Sequence, residues 1–180
     1  QALRGESGLT DLPDELLHAH AVLGQTPVIL LLAGAPVAVF AVADPLRPES
    51  ASTIGRLKDM GIRCIMLTGD NAVTANAVAR QVDIDQVVAG VLPDGKAEAV
   101  AELQRQGHVV GMVGDGINDA PALAKADVGF AMNSGIDVAV ETGDVVLMRH
   151  GLAPAVAALA LGRATMRNIR ENLFWAFAYN

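Results

Sequence analysis

Along the 180-residue chain the apolar positions recur with two different periods, and the elements end where one period gives way to the other. Gln1 to Gln25 is polar and weakly patterned, with a short helix expected around Asp14–Ala21. Pro27 to Leu32 and Pro36 to Val42 are apolar, β-rich runs separated by Ala33-Gly34-Ala35, which predicts a hairpin. Asp44-Pro45-Leu46-Arg47-Pro48-Glu49 closes it, and Pro48 with Glu49 is expected to open a helix as an N1 proline and a first-turn acid. Ala51, Ile54, Leu57 and Lys58 continue at helical spacing until Gly61.

From Ile62 strand and helix alternate. The pattern predicts strands at Ile62–Leu67, Gln86–Ala89, Val109–Val113, Val128–Met132 and Val145–Met148. Between them it predicts helices at Asn71–Val82, Gly95–Gln106 (closed by Gly107), Asp119–Lys125 and Gly135–Thr142, and a long helix runs from Pro154 to the end. Such alternation implies an α/β fold with a parallel sheet covered on both faces, and ligands in the crevice beyond the strand C-termini. Thr68-Gly69-Asp70-Asn71 and Gly114–Asp119 both fall at such ends.

Composition narrows the class. At 52% hydrophobic and 3% aromatic the chain is not disordered and suits Val-rich buried strands. Twenty Asp and Glu against thirteen Lys and Arg give a formal charge of -7, so there is no electrostatic footprint for nucleic acid. The single cysteine, Cys64, lies in an apolar run and reads as a core thiol rather than a ligand, with a reducing, cytosolic setting expected. No secretory signal layout is present. Because the sequence opens at Gln1 and stops at Asn180 directly after Leu173–Tyr179, a fragment of a longer protein is expected.

Four polar features carry candidate chemistry. Thr68 and the backbone N–H groups of Gly69 and Asp70 sit between a strand and a helix N-terminus, which suits a phosphoryl oxygen. Lys96 stands near the start of a helix after Leu92-Pro93-Asp94-Gly95, where an ammonium can face an anion. Asp115 and Asp119 are four apart across a strand-loop-helix junction and supply hard oxygen ligands for Mg²⁺, with Asn118 adding a neutral hydrogen-bonding group. His18 and His20 have a chelating spacing on a strand but no further His or Cys nearby, and read as solvated.

Thr68-Gly69-Asp70-Asn71, Pro93-x-x-Lys96 and Gly114-Asp115-Gly116-Ile117-Asn118-Asp119-Ala120-Pro121-Ala122-Leu123 resemble the phosphorylation-domain motifs of P-type ATPases, within the haloacid dehalogenase superfamily. Asp44-Pro45-Leu46-Arg47-Pro48 is similar to that family's hinge between nucleotide and phosphorylation domains, and the heavy-metal branch matches best. The resemblance implies a haloacid dehalogenase-like Rossmannoid sheet. Residues 1–43 would end the nucleotide-binding domain, 44–151 would be the C-terminal part of the phosphorylation domain, and 152–180 a linker helix and the start of a transmembrane helix.

It also implies an ATP-driven pump at the cytoplasmic face of a membrane that passes the γ-phosphoryl to an aspartate. Thr68, Gly69 and Asp70 would surround the phosphoryl oxygens, Lys96 would neutralise its charge, Asp115 would bind Mg²⁺, and Asn118 and Asp119 would support it. Asp44 and Arg47 would stand at the nucleotide side of the hinge. The remaining partners would be the upstream nucleotide and phosphorylation segments, the actuator, the membrane helices, lipid and the transported ion. The family's Asp-Lys-Thr-Gly-Thr is not among the 180 residues, so this chain alone is expected not to form a phosphoenzyme.

The terminal Tyr179-Asn180 resembles the pair associated with the copper site in Cu(I) pumps, with a zinc or cadmium pump as the alternative. For the C-terminal helix two outcomes stay open, since a run this short cannot span a bilayer of about 20 residues. Either it is the start of a membrane helix with Arg163, Arg167 and Arg170 at its cytoplasmic end, or it docks Leu173, Phe174 and Phe177 on the core. A soluble phosphatase of the same superfamily is the main rival. Its only candidate nucleophile is Asp44, and Leu46 stands where a second acid or a threonine is required.

Overall fold

The computed structural model describes residues 14–114, 117–132, 142–149 and 151–179. In chain order these form α1 (Asp14–Val22), β1 (Thr26–Leu32), β2 (Ala35–Val42), α2 (Ser50–Asp59), β3 (Ile65–Leu67), α3 (Ala72–Gln81) and β4 (Gln86–Val88). They continue as α4 (Pro93–Arg105), β5 (Gly111–Gly114), a 3₁₀ turn (Ile117–Asp119), α5 (Ala120–Lys125), β6 (Val128–Met132), β7 (Val145–Leu147) and α6 (Ala153–Tyr179). The helix expected over Gly135–Thr142 lies outside the described residues apart from Thr142. The chain divides into two compact units, Gln1–Arg47 with Arg63–Val91, and Pro48–Ile62 with Leu92–Asn180.

In the first unit β1 and β2 pair antiparallel through the turn at Ala33-Gly34, as the spacing predicts, with a register irregularity at Leu30/Leu31. One face of this hairpin remains open. Val28, Leu30, Leu32, Phe40 and Val42 are all about half exposed or more. β3 and β4 pair parallel across α3, which buries Thr74, Ala75, Ala77 and Ala79. Small residues on that face let the helix lie close to its neighbours.

The predicted strand at Ile62–Leu67 is shorter than its apolar run. Cys64 is buried as expected, but its N–H donates to Asp85 Oδ2 at 2.8 Å and its carbonyl accepts from the Asp85 N–H at 3.1 Å. A side chain thus replaces a ladder partner, and pairing begins only at Ile65. His18 and His20 lie on α1, a helix and not a strand, where residues two apart do not face each other. His20 instead bonds Gln25 Oε1 through Nδ1 at 2.7 Å.

In the second unit β5, β6 and β7 form a three-stranded parallel sheet in that order. Phe130, Leu147 and Ala155 form its core against α6, and Leu123 and Ala131 pack with Met112 near α5. β5 starts at Gly111 rather than Val109, because the Val110 N–H is taken by Asp127 Oδ2 at 2.8 Å and Val109 is solvent-exposed.

Helix boundaries also move. α2 starts at Ser50 rather than at Pro48, with Glu49 as its cap and the Glu49 carbonyl accepting from Thr53 N–H. α4 starts at Pro93 rather than Gly95, since a proline at N1 gives up only an N–H that would be orphaned anyway. Gly61 (φ +75°) and Gly107 (φ +85°) end α2 and α4 in the left-handed conformation. In both the next N–H reaches back to the helix, Ile62 to Leu57 O at 3.0 Å and His108 to Leu103 O at 3.2 Å.

α6 is one continuous helix of 27 residues. Its base is buried through Ala155 and Val156, and Arg163 donates to the Met60 carbonyl at 2.9 Å. Docking of its far end on the core is not observed: Leu173 is 54%, Phe174 64% and Phe177 75% exposed. Among the described residues no helix is long and apolar enough to cross a membrane.

Candidate active site

The loop after β3 is held by its own polar groups. Thr68 Oγ1 donates to Asp70 Oδ2 at 3.1 Å, and the Asp70 N–H donates to Thr68 Oγ1 at 3.1 Å. The backbone fastens it to the loop after β4, with Val91 N–H on Thr68 O at 3.0 Å and Gly90 N–H on Asp70 O at 2.8 Å. A Cβ on Gly69 would meet the Val91 carbonyl at 3.4 Å, an ordinary van der Waals contact. Asn71 then caps α3, its Oδ1 accepting from Thr74 N–H at 3.0 Å. Thr68, Gly69 and Asp70 are neighbours in this loop, where the Thr68 hydroxyl and Asp70 N–H are engaged with each other's residue.

In the second unit Lys96 and Asp119 meet. Lys96 Nζ lies 2.6 Å from Asp119 Oδ1, with side chains only 18% and 13% exposed. Asp119 ends the 3₁₀ turn, pressed against the end of β5. A Cβ on Gly114 would stand 2.6 Å from Asp119 Cβ. Asn118, beside it, is exposed. This ion pair spans 23 residues, and spacing alone does not reveal it. Asp115 lies outside the described residues, as does Asn180.

Asp44 and Arg47 lie in the exposed irregular stretch after β2. That places Asp44 beyond an antiparallel hairpin rather than at the end of a parallel strand. Tyr179 ends α6 and is 94% exposed. An open cleft of about 750 Å³ between β6, β7 and α6 is lined by Phe130, Val145, Leu159 and Met166 with Arg163 and Arg167, and no candidate site residue lines it.

The donors fit Mg²⁺ only in part. Among the described residues no group of three or more His, Cys, Asp or Glu is placed to hold a metal. Mg²⁺ keeps several waters and takes one or two carboxylates plus substrate phosphates, so an acidic loop at a strand end suits it. On that loop one oxygen of Asp119 is already committed to an ammonium.

Parallel strands carrying a Thr-Gly-Asp loop after β3 in one unit and a lysine-carboxylate pair at the end of β5 in the other are features of a known class. A haloacid dehalogenase-like hydrolase model matches residues 3–127, and the chain belongs to that family. Among individual proteins it is 52% identical over 157 residues to "Copper-transporting ATPase 1" of Rhizobium meliloti (strain 1021), covering 87% of this chain and 19% of that protein. It is 46% identical over 180 residues to "Copper-exporting P-type ATPase" of Vibrio cholerae, covering 99% and 20%. The chain thus spans about a fifth of the length of these curated relatives. A crystal structure of a zinc-transporting PIB-type ATPase in the E2.Pi state superposes with a TM-score of 0.75 at 40% identity, over 91% of this chain and 27% of that one.

Proposed function

We propose that this chain is part of an ATP-driven heavy-metal pump that works through an aspartyl-phosphate, and that it supplies the half of the site that stabilises phosphate and Mg²⁺. The observation that carries the reading is the Lys96–Asp119 pair set at the C-terminal end of a parallel strand. A fixed ammonium at that place neutralises charge on a transferring phosphoryl group without reorganising during reaction. Thr68, Gly69 and Asp70 would supply the hydrogen bonds around the phosphoryl oxygens. Bound Mg²⁺, held through Asp115, would supply further positive charge on the phosphate, with Asn118 and Asp119 supporting that loop. Asp44 and Arg47 would flank the path to the nucleotide.

In the domain assignment that goes with this reading, residues 1–43 close a nucleotide-binding domain, 44–151 form the C-terminal part of the phosphorylation domain and 152–180 lead to the membrane. The open apolar face of the β1–β2 hairpin supports the first boundary, because an isolated two-stranded sheet is marginal and gains by joining a larger one. The exposed apolar end of α6 behind Arg163, Arg167 and Arg170 supports the last, with the helix entering the bilayer from its cytoplasmic face. The partners are then the rest of the pump, lipid and a heavy-metal ion.

Copper(I) is the ion this reading favours. The two relatives above bear copper in their names, at higher identity than the zinc transporter, and Tyr179-Asn180 matches the pair associated with copper. The phosphatase reading gains nothing from the position of Asp44. The test is phosphorylation from labelled ATP with Mg²⁺. The full-length protein should give an acid-stable, hydroxylamine-sensitive product dependent on Cu(I), while the 180 residues alone should give none. A phosphoprotein formed by the 180 residues alone would overturn the reading.

A further inference from the structure

The two faces of the β5–β6–β7 sheet are covered unequally. Successive side chains on a strand point to opposite faces. On β6, Ala131 packs with Leu123 of α5, whereas Phe130 packs with Leu147 and Ala155 on the side of α6. On that second side the cover is partial: the cleft of about 750 Å³ between β6, β7 and α6 leaves Val128 and Val145 half-buried. Parallel sheets are stable with helices over both faces, so an apolar opening on one face calls for a further helix.

α6 is shaped to receive one. Leu159, Gly162, Met166 and Arg170 recur at helical spacing along the wall of the cleft, with Arg163 and Arg167 beside them. Glycine is among the worst residues for a helix interior. At Gly162 no packing neighbour among the described residues lies within 4 Å of where a Cβ would stand. A helical glycine facing open space leaves room for another backbone to come close.

The charge at the cleft is one-sided. Three arginines meet one acid, Glu171, which stands 4.0 Å from Arg167. Arg163 spends one guanidinium nitrogen on the Met60 carbonyl, and the Arg170 guanidinium has no partner among the described residues. The chain as a whole carries -7, so this patch runs against its own average and asks for an acidic partner. A lipid headgroup would satisfy the arginines but would leave the apolar sheet face and Gly162 without a reason.

We propose that an amphipathic helix with an acidic flank, supplied by the part of the pump outside these 180 residues, packs into this cleft. Its apolar stripe lies on Val128, Val145 and Met166, its backbone crosses α6 at Gly162, and its carboxylates meet Arg167 and Arg170. The proposal rests on the pump reading, because the chain spans about a fifth of its curated relatives and the rest of such a protein supplies the occupant. α6 is thereby gripped between the sheet and a segment from another part of the polypeptide.

Met166, half exposed in the 180-residue chain, is the probe. Under hydroxyl-radical oxidation read by mass spectrometry, it should react several-fold more slowly in the full-length protein in uncharged detergent than in the 180-residue chain. Equal rates overturn the proposal. Protection that appears only in vesicles of anionic phospholipid makes the occupant a lipid, and protection of the 180-residue chain that grows with its concentration makes it a second copy. Either result also overturns the proposal.

Gly162→Leu should act with opposite sign in the two settings. It should raise the folding equilibrium constant of the 180-residue chain roughly fivefold by removing the glycine penalty. In the full-length protein the same side chain meets the incoming helix and should lower the thermal midpoint; a raised midpoint there overturns the proposal. Carbodiimide treatment of full-length Arg167→Lys should join position 167 to an Asp or Glu outside the 180 residues, in a stretch with apolar positions at helical spacing. Coupling confined to the 180 residues overturns it. A full-length protein that protects Met166 but forms no phosphoenzyme defeats the pump reading alone. One that phosphorylates with Met166 unprotected defeats the cleft proposal alone.

Discussion

Gly129 lies against the carbonyl of Leu123 so closely that a Cβ on the glycine would stand 2.8 Å from the oxygen. β6 therefore runs directly under the end of α5, with Leu123 and Ala131 almost without solvent contact. The obstacle is backbone and cannot rotate away. Gly129→Ala should destabilise the chain by about 1–3 kcal/mol, read as a lower urea midpoint with an unchanged slope.

Asn71 makes two bonds to one residue, Oδ1 accepting from Thr74 N–H at 3.0 Å and Nδ2 donating to Thr74 Oγ1 at 2.9 Å. Asn71→Ala should cost about 1 kcal/mol. Asn71→Asp should retain most of the cap, because the carboxylate still accepts from Thr74 N–H at a helix N-terminus. Equal losses for the two variants in thermal unfolding would show that the cap is not what holds α3.

Asp127 gives the fold an acid-sensitive latch. The Val110 N–H, at 2.8 Å from Oδ2, and then the Gln104 side chain hold its carboxyl below the ordinary value of 3.8. The unfolded chain therefore takes up this proton at higher pH than the folded one does. The contribution is complete above the ordinary carboxyl value and is lost as pH falls through the lower, folded value. Asp127→Asn should flatten the acid limb of the stability profile and leave its slope near neutrality unchanged.

Trp175 is the only tryptophan and is 62% exposed near the tip of α6. If that tip enters lipid, its emission should shift to the blue on mixing the chain with anionic vesicles. Each of Arg163, Arg167 and Arg170 should add about 1 kcal/mol to binding at low salt, and changing each to glutamine should remove that share. An emission spectrum unmoved by vesicles of any charge would argue against membrane entry.

The strand and helix order of the fold was readable because apolar periodicity survives in the finished structure; the alternation from Ile65 to Met132, and the strand at Val145–Leu147, follow the pattern the sequence predicts. What escaped was decided by side chains reaching across sequence. Asp85 takes the N–H of Cys64 and Asp127 takes that of Val110, and each cuts a strand short of its apolar run. The site divides in the same way. Lys96 and Asp119 stand out as residue types at strand and helix ends, but that they bond each other depends on a turn after β5 and on a glycine whose lack of a side chain is a packing fact. The aromatic end of α6 was legible as apolar, while its exposure depends on how far the helix outruns the core.

A straight helix of 27 residues is a rod about 40 Å long at 1.5 Å per residue. This one is clamped at its base by Ala155 against the sheet and tied by Arg163 to the end of α2. Past that tie its apolar side chains are largely uncovered. Mechanically it is a lever with a short arm in the second unit and a long free arm, so a tilt of about 5° at the base would carry the tip through roughly 3.5 Å.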